Sequence, residues 1–286
     1  MGEKSGANKS CGPFQKVLDS LSSRFVSPEP EVIFEGDSEH NHIQVIEAGD
    51  VRTMCFGPMG QEAETSISLS NPLAPVFEYP GLMFLALALT DRNKEILMLG
   101  LGGGFVPRLF QEFLPEHKLT VVEIDPLVGE LASTYFFFQP GKNVTLVYAD
   151  GGEFIKNAEP ERYDQIWLDA FNGNYIPHNL ATDDFTLHCL KALPQGGILS
   201  QNLHQTRLSC FRAQIQRTTR LFGGMPLIFN GVRCGNSVSH SLKDEGEFDP
   251  SIKEIARKVR NFRLTIGPYK LLDEAKKKEK YPANFL

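Results

Sequence analysis

The chain has 286 residues, 41% of them hydrophobic and 22% charged, with a formal net charge of -6. That composition supplies a sizeable buried core for one large domain with a smaller one attached, and it argues against a general nucleic-acid binder. Five cysteines in no C-x-x-C spacing argue against a disulfide framework or a zinc site and point to a reducing, cytoplasmic location. No stretch of about 18 apolar residues suggests a membrane span, and the polar N-terminus lacks the apolar core of a signal peptide.

Residues 1–30 read as a flexible Ser-, Gly- and Lys-rich extension. Within it Phe14, Val17, Leu18, Leu21 and Phe25 recur at helical spacing. Short β-branched runs at 32–34, 42–46, 51–56 and 65–69, divided by Gly, Asp and Asn, predict a small antiparallel β-domain over 31–78. An apolar helix is expected over 79–89. Strand and helix patterns then alternate. Strands are predicted at 96–99, 119–124, 144–148, 165–168 and 198–203, and helices at 105–113, 126–136, 152–157, 182–193 and 208–221. Such alternation predicts an α/β fold, a Rossmann-like doubly wound sheet over 79–245. An antiparallel pair within 225–242 is expected to close it, and 246–286 are left as a C-terminal helix with a lysine-rich tail.

Three places on the predicted sheet carry chemistry. The first is the turn Gly100-Leu101-Gly102-Gly103-Gly104 between a short apolar strand and a helix. Glycines there let the backbone approach a ligand, and the helix start offers free N–H groups. Glu123, at the end of the following strand, stands roughly 20 positions on, where a carboxylate accepts from ribose hydroxyls. The alternative is a tight structural turn with a solvated glutamate. Phe105 and Pro107 occupy the two positions where a dinucleotide fingerprint requires glycine. The turn therefore favours a nucleoside without a pyrophosphate.

The second place is Asp150-Gly151 after the next strand, which either accepts from an adenine amine or caps a helix. The third is Asp169, at the end of 165–168 and before an irregular loop. A carboxylate at that sheet edge takes a proton from a substrate ammonium, or else shapes the loop as an Asx turn. Tyr79, Asn172, Tyr175 and Gln201 are the candidate acceptor-binding side chains around it. His178 is read as ordering the loop, because no His, Cys or acidic cluster has metal-ligand spacing.

From about residue 45 to 203 these segments resemble the spermidine/spermine synthase family, the polyamine aminopropyltransferases. They are Leu97 to Gly104, Val122-Glu123-Ile124-Asp125-Pro126, Ala149-Asp150-Gly151, Tyr163 to Asp169 and Gly196-Gly197-Ile198-Leu199. The resemblance implies a decarboxylated S-adenosylmethionine donor with its ribose on Glu123, its adenine at Asp150 and the acceptor amine activated by Asp169. It also implies pairing of two chains through the small β-domain. Three departures stand out. Gly103 occupies the place of an aspartate that the family directs at the aminopropyl amine. Asn172 replaces the second acid after Asp169, and Tyr79-Pro80-Gly81-Leu82-Met83 lacks the family's glutamate. The same turn and the Val-Glu-Ile-Asp-Pro segment also resemble S-adenosylmethionine-dependent class I methyltransferases, including a branch that modifies protein lysine. Three readings follow: transfer of an aminopropyl group to a small-molecule amine, methyl transfer to an amine of a protein, or a non-catalytic binding protein on the same fold.

Overall fold

The computed structural model describes residues 29–57, 62–171, 176–205, 208–231 and 235–244. The expected N-terminal helix, the C-terminal helix and lysine-rich tail expected over 246–286, Asn172 and Tyr175 lie outside these residues.

The first four strands are β1 (Glu31–Asp37), β2 (His42–Ala48), β3 (Val51–Phe56) and β4 (Glu62–Ser68), joined in that order as an antiparallel sheet. The β2–β3 turn closes at Gly49, with φ 59°, as its Ala-Gly-Asp sequence leads one to expect. In β4 one residue is extra: Met54 pairs with Thr65 and Cys55 with Ala63, so the register shifts at Glu64. This bulge changes the direction in which the following side chain points.

Two short helices, α1 (Tyr79–Phe84) and α2 (Ala86–Leu89), replace the single helix expected over 79–89, and every residue of both is buried. The α/β unit follows with β5 (Glu95–Leu99), α3 (Phe105–Phe113), β6 (Lys118–Glu123), α4 (Pro126–Tyr135), β7 (Val144–Tyr148), α5 (Gly151–Lys156) and β8 (Gln165–Leu168). After a 3-10 turn at His178–Leu180 come α6 (Asp183–Ala192), β9 (Ile198–His204), α7 (Leu208–Phe222), β10 (Leu227–Asn230) and β11 (Asn236–Leu242). The order across this seven-stranded sheet is β10-β11-β9-β8-β5-β6-β7. Strands β5 to β9 are parallel, and β10–β11 add the antiparallel pair predicted from the sequence.

The central strands are largely apolar because helices or the small sheet cover both their faces. On one face Met98, Val121, Trp167 and Val238 join Ile43, Met54 and Ile67 of the small sheet and Leu82 to Leu89 of the short helices in one core. Opposite, Leu97, Leu99, Ile166, Leu168 and Leu199 pack with Phe185, Cys189 and Leu193. The small sheet thus shares its hydrophobic core with the α/β unit.

Candidate functional site

From β5 the chain runs outward to β6 and β7 on one side, then returns to β8 and β9 on the other. The carboxyl ends of β5 and β8 therefore flank the topological switch point, where ligands of open α/β sheets bind. Side by side along this edge stand Asp150 after β7, Glu123 at the end of β6, the glycine turn after β5, Asp169 after β8 and Asn202 on β9. Backbone bonds from Gly100 N to Val122 O (2.8 Å), from Ala149 N to Glu123 O (3.0 Å) and from Asp169 N to Leu99 O (2.9 Å) continue the sheet right up to these residues.

Glycine is obligatory at position 100. Its φ is +98°, and a Cβ there would lie 2.2 Å from the Asp169 carbonyl oxygen. The glycine turn therefore passes directly against the backbone at Asp169. Gly103 is constrained from another direction. Its N–H donates to Thr65 Oγ1 at 2.9 Å, and an added Cβ would meet Thr65 Cγ2 at 2.7 Å and Phe136 Cδ1 at 3.0 Å. Thr65 follows the β4 bulge, so the small sheet sends a side chain onto the turn. Gly104 then caps α3, with φ 72°.

Glu123 is nearly buried, and its two carboxylate oxygens accept from Leu101 N (2.9 Å) and Asp125 N (3.0 Å). Burial holds its pKa above the ordinary value, against the opposing pull of these backbone bonds. A carboxylate offers about four acceptor positions, so capacity beyond these backbone bonds is left for a ligand hydroxyl. Asp125 caps α4 through Leu127 N and takes a 2.5 Å bond from Ser38, the second side chain that the small sheet contributes to this edge.

Asp150 is the N-cap of α5, accepting from Glu153 N at 2.9 Å, and Asn179 Nδ2 donates to its other oxygen at 2.9 Å. The helix-cap alternative is thus realised, and an adenine amine would have to share the same carboxylate. Gly151 begins α5, where an added Cβ would make only ordinary contact with Leu99 at 3.5 Å.

Asp169 is half-buried. Asn202 Nδ2 donates to its Oδ1 at 2.8 Å, and the Tyr79 hydroxyl bonds to it from α1. Burial nevertheless pushes this carboxyl up to about 6, outweighing both bonds. A carboxylate tuned to that range accepts and returns a proton near neutrality.

One expected acceptor residue lies elsewhere. Parallel pairing sets Leu168 beside Gln201, so Gln201 shares the Leu168 face of the sheet. Asp169 and Asn202, each one residue further along, lie on the opposite face. The Gln201 side chain is completely buried toward α7, and among the described residues neither of its amide atoms has a hydrogen-bond partner. A single step of strand alternation separates the expected residue from the one that reaches the carboxylate. Sequence reasoning missed Asn202, Thr65 and Asn179. Only Asn202 had a local signal, its place in the polar run Ser200-Gln201-Asn202 of a strand that otherwise begins as core.

Among the described residues no group of His, Cys, Asp and Glu is placed to hold a metal ion, and no helix is long and apolar enough to cross a membrane.

Residues 79–218 match the family profile of the spermine/spermidine synthase domain. A polyamine aminopropyltransferase of Vibrio vulnificus is 34% identical over 194 residues, spanning 66% of this chain and 65% of that protein's length. An eEF1A lysine and N-terminal methyltransferase homologue of Drosophila pseudoobscura is 29% identical over 156 residues, 52% of this chain but only 22% of that protein. In three dimensions the chain is similar to a spermidine synthase crystallised with the transition-state analogue AdoDATO. The TM-score is 0.69 at 22% identity, covering 85% of this chain and 83% of that one.

Proposed function

We propose that this chain, with a spermine/spermidine synthase domain at its centre, is an aminopropyltransferase. In this reading it draws on decarboxylated S-adenosylmethionine and delivers the aminopropyl group to a small-molecule amine. The observation that carries the reading is Asp169: a carboxylate raised to about 6 at the switch point, across one glycine from the turn that Glu123 braces. The family match and the relatives named polyamine aminopropyltransferase support it.

The chemistry assigned to this chain's residues is proton transfer and orientation. Asp169 takes a proton from the acceptor ammonium, freeing the nitrogen lone pair. The nitrogen attacks the propyl carbon, the carbon–sulfur bond breaks, and its electron pair stays on sulfur, leaving neutral methylthioadenosine. The new secondary amine carries the positive charge. Glu123 holds the ribose, and the glycine turn lets the backbone lie against the donor where any side chain would block it. Tyr79 borders the acceptor beside Asp169, and Asn172 and Tyr175 stay acceptor candidates on their place in the sequence alone. A cytoplasmic homodimer completes the proposal. Its compartment rests on thiols that are free at Cys55, Cys189 and Cys210. The pairing rests on the resemblance.

A second reading, methyl transfer from S-adenosylmethionine, is favoured by the packing at Gly103. Thr65 and Phe136 fill the space in which an aspartate for the aminopropyl ammonium would stand. The methyltransferase homologue supports this reading too. Calorimetric titration of the full chain with both donors and with methylthioadenosine separates the two. Tighter binding of the decarboxylated donor is the expected result, and tighter binding of the carboxylated one transfers the assignment to the second reading. No binding of any at millimolar concentration removes both and leaves a non-catalytic binding protein.

A further inference from the structure

Behind the amide that touches Asp169 stands a second amide. Asn202 Nδ2 donates to Asp169 Oδ1 at 2.8 Å, and Asn236 Nδ2 donates to Asn202 Oδ1 at 3.0 Å. Asn202 is buried, and Asn236 is half-buried at the start of β11. Cross-strand pairing of Asn202 with Val238 and of His204 with Asn236 puts both amides on the Asp169 face of the sheet.

A carboxamide has a donor end and an acceptor end of nearly equal size. Turned by half a rotation, Asn202 would point its carbonyl oxygen at Asp169 and repel the charged carboxylate. The partner at the far end decides which way it faces. Because Asn236 offers an N–H, Asn202 turns its oxygen to β11 and its N–H to Asp169. Every donor in the series then points toward the carboxylate, an arrangement that favours the ionised form because a charged oxygen accepts more strongly than a neutral one.

We propose that Asn202 and Asn236 form a two-amide relay, positioning residues that orient the Asp169 carboxylate and favour its charged, proton-accepting form. The relay ties the base to the β10–β11 pair at the far end of the sheet. From α1 the titratable group facing Asp169 is the Tyr79 hydroxyl, β5 presents the backbone of Gly100, and β9 and β11 present the two amides; no charged side chain among the described residues acts on the carboxylate. The inference rests on Asp169 being the base, but its test needs no turnover.

The full chain is labelled with 13C at its aspartate carboxyls, and the Asp169 signal, identified by its loss in Asp169→Asn, is followed against pH. Asn202→Leu removes the donor and is expected to raise the titration midpoint by about one pH unit, a tenfold gain in proton affinity. Asn236→Ala frees Asn202 to turn and gives a smaller rise. Because the amides act in series, the double variant matches Asn202→Leu alone. Should Asn202→Leu not fold, Asn202→Ser and Asn236→Ala carry the same test. An unmoved midpoint in folded variants overturns the relay, as does a double variant whose rise is the sum of the two. An amide pair that merely joins β9 to β11 would lower the melting temperature without moving the Asp169 signal. If the midpoints shift as expected while no donor binds, the relay stands and the transferase assignment falls.

Discussion

The two halves of the crevice are built in different ways. On the β5–β6–β7 side, the features that would face a donor are held chiefly by main-chain N–H groups, with Thr65, Ser38 and Asn179 bracing them from other segments. Glycines follow a strand, Glu123 is gripped by the N–H groups of Leu101 and Asp125, and Asp150 caps the helix that begins beside it. On the β8–β9 side, Asp169 is surrounded by side chains from α1, β9 and, through Asn202, β11. The first half offers a shape with few degrees of freedom, suited to a ligand that does not vary. In the second, the partners sit on separate elements, and Tyr79 on α1 reaches Asp169 independently of the linked amides on β9 and β11.

The largest expected effect separates the halves outright. Asp169→Asn should lower turnover by a factor on the order of 10² to 10⁴ while donor affinity stays within a few-fold, read by single-turnover kinetics and calorimetry. The same variant carries a pH signature. The native Asp169 carboxyl, at about 6 against an ordinary 3.8, holds its proton more tightly than the unfolded chain does. Its contribution to stability is therefore full at low pH and disappears as pH rises through 6. A neutral asparagine escapes that loss. The variant should match the wild type near pH 3.5 and become more stable by about 1–2 kcal/mol above pH 6, measured by urea unfolding across pH. Equal stability at all pH values would show that burial does not raise this carboxyl.

On the donor side Glu123→Ala should weaken binding of either donor about tenfold to a hundredfold, and thermal melting should show it destabilised, because two backbone N–H groups lose their acceptor. Gly103→Asp is predicted to fail as a restoration of the family's aspartate. Its Cβ meets Thr65 and Phe136 at 3.0 Å or less, so stability should fall by about 1–3 kcal/mol with no gain in affinity for the decarboxylated donor. The smallest effect belongs to Gln201→Leu. Its amide has no partner among the described residues, so the change should shift stability by less than about 1 kcal/mol and leave donor binding unchanged. A large rise in acceptor KM would return Gln201 to the site.

The contrast between the halves also explains how far the amino-acid sequence could be read. Strand ends, the turn and the positions of Glu123 and Asp169 were legible, since apolar runs bounded by glycine or an acid mark the carboxyl edge of a parallel sheet. The helices of the α/β unit fell within a residue or two of their expected limits. What stayed hidden depends on contacts between distant segments. Asn202 required the β8–β9 register, and Thr65 required both the β4 bulge and the docking of one sheet on the other. Asn179 required the path of the chain after β8. The expected single helix over 79–89 divides into two within a fully buried stretch whose composition gives no punctuation at the division.

Thr65 lies outside the stretch that matches the family profile, which begins at residue 79. The edge of the matched profile is therefore not the edge of the structure that braces the turn. A fragment trimmed at 79 would keep the glycines, Glu123, Asp150 and Asp169, yet lose the hydroxyl over Gly103, the Ser38 bond to Asp125 and the apolar face contributed by Ile43, Met54 and Ile67. Anyone transplanting this donor platform into another protein has to move the small sheet with it.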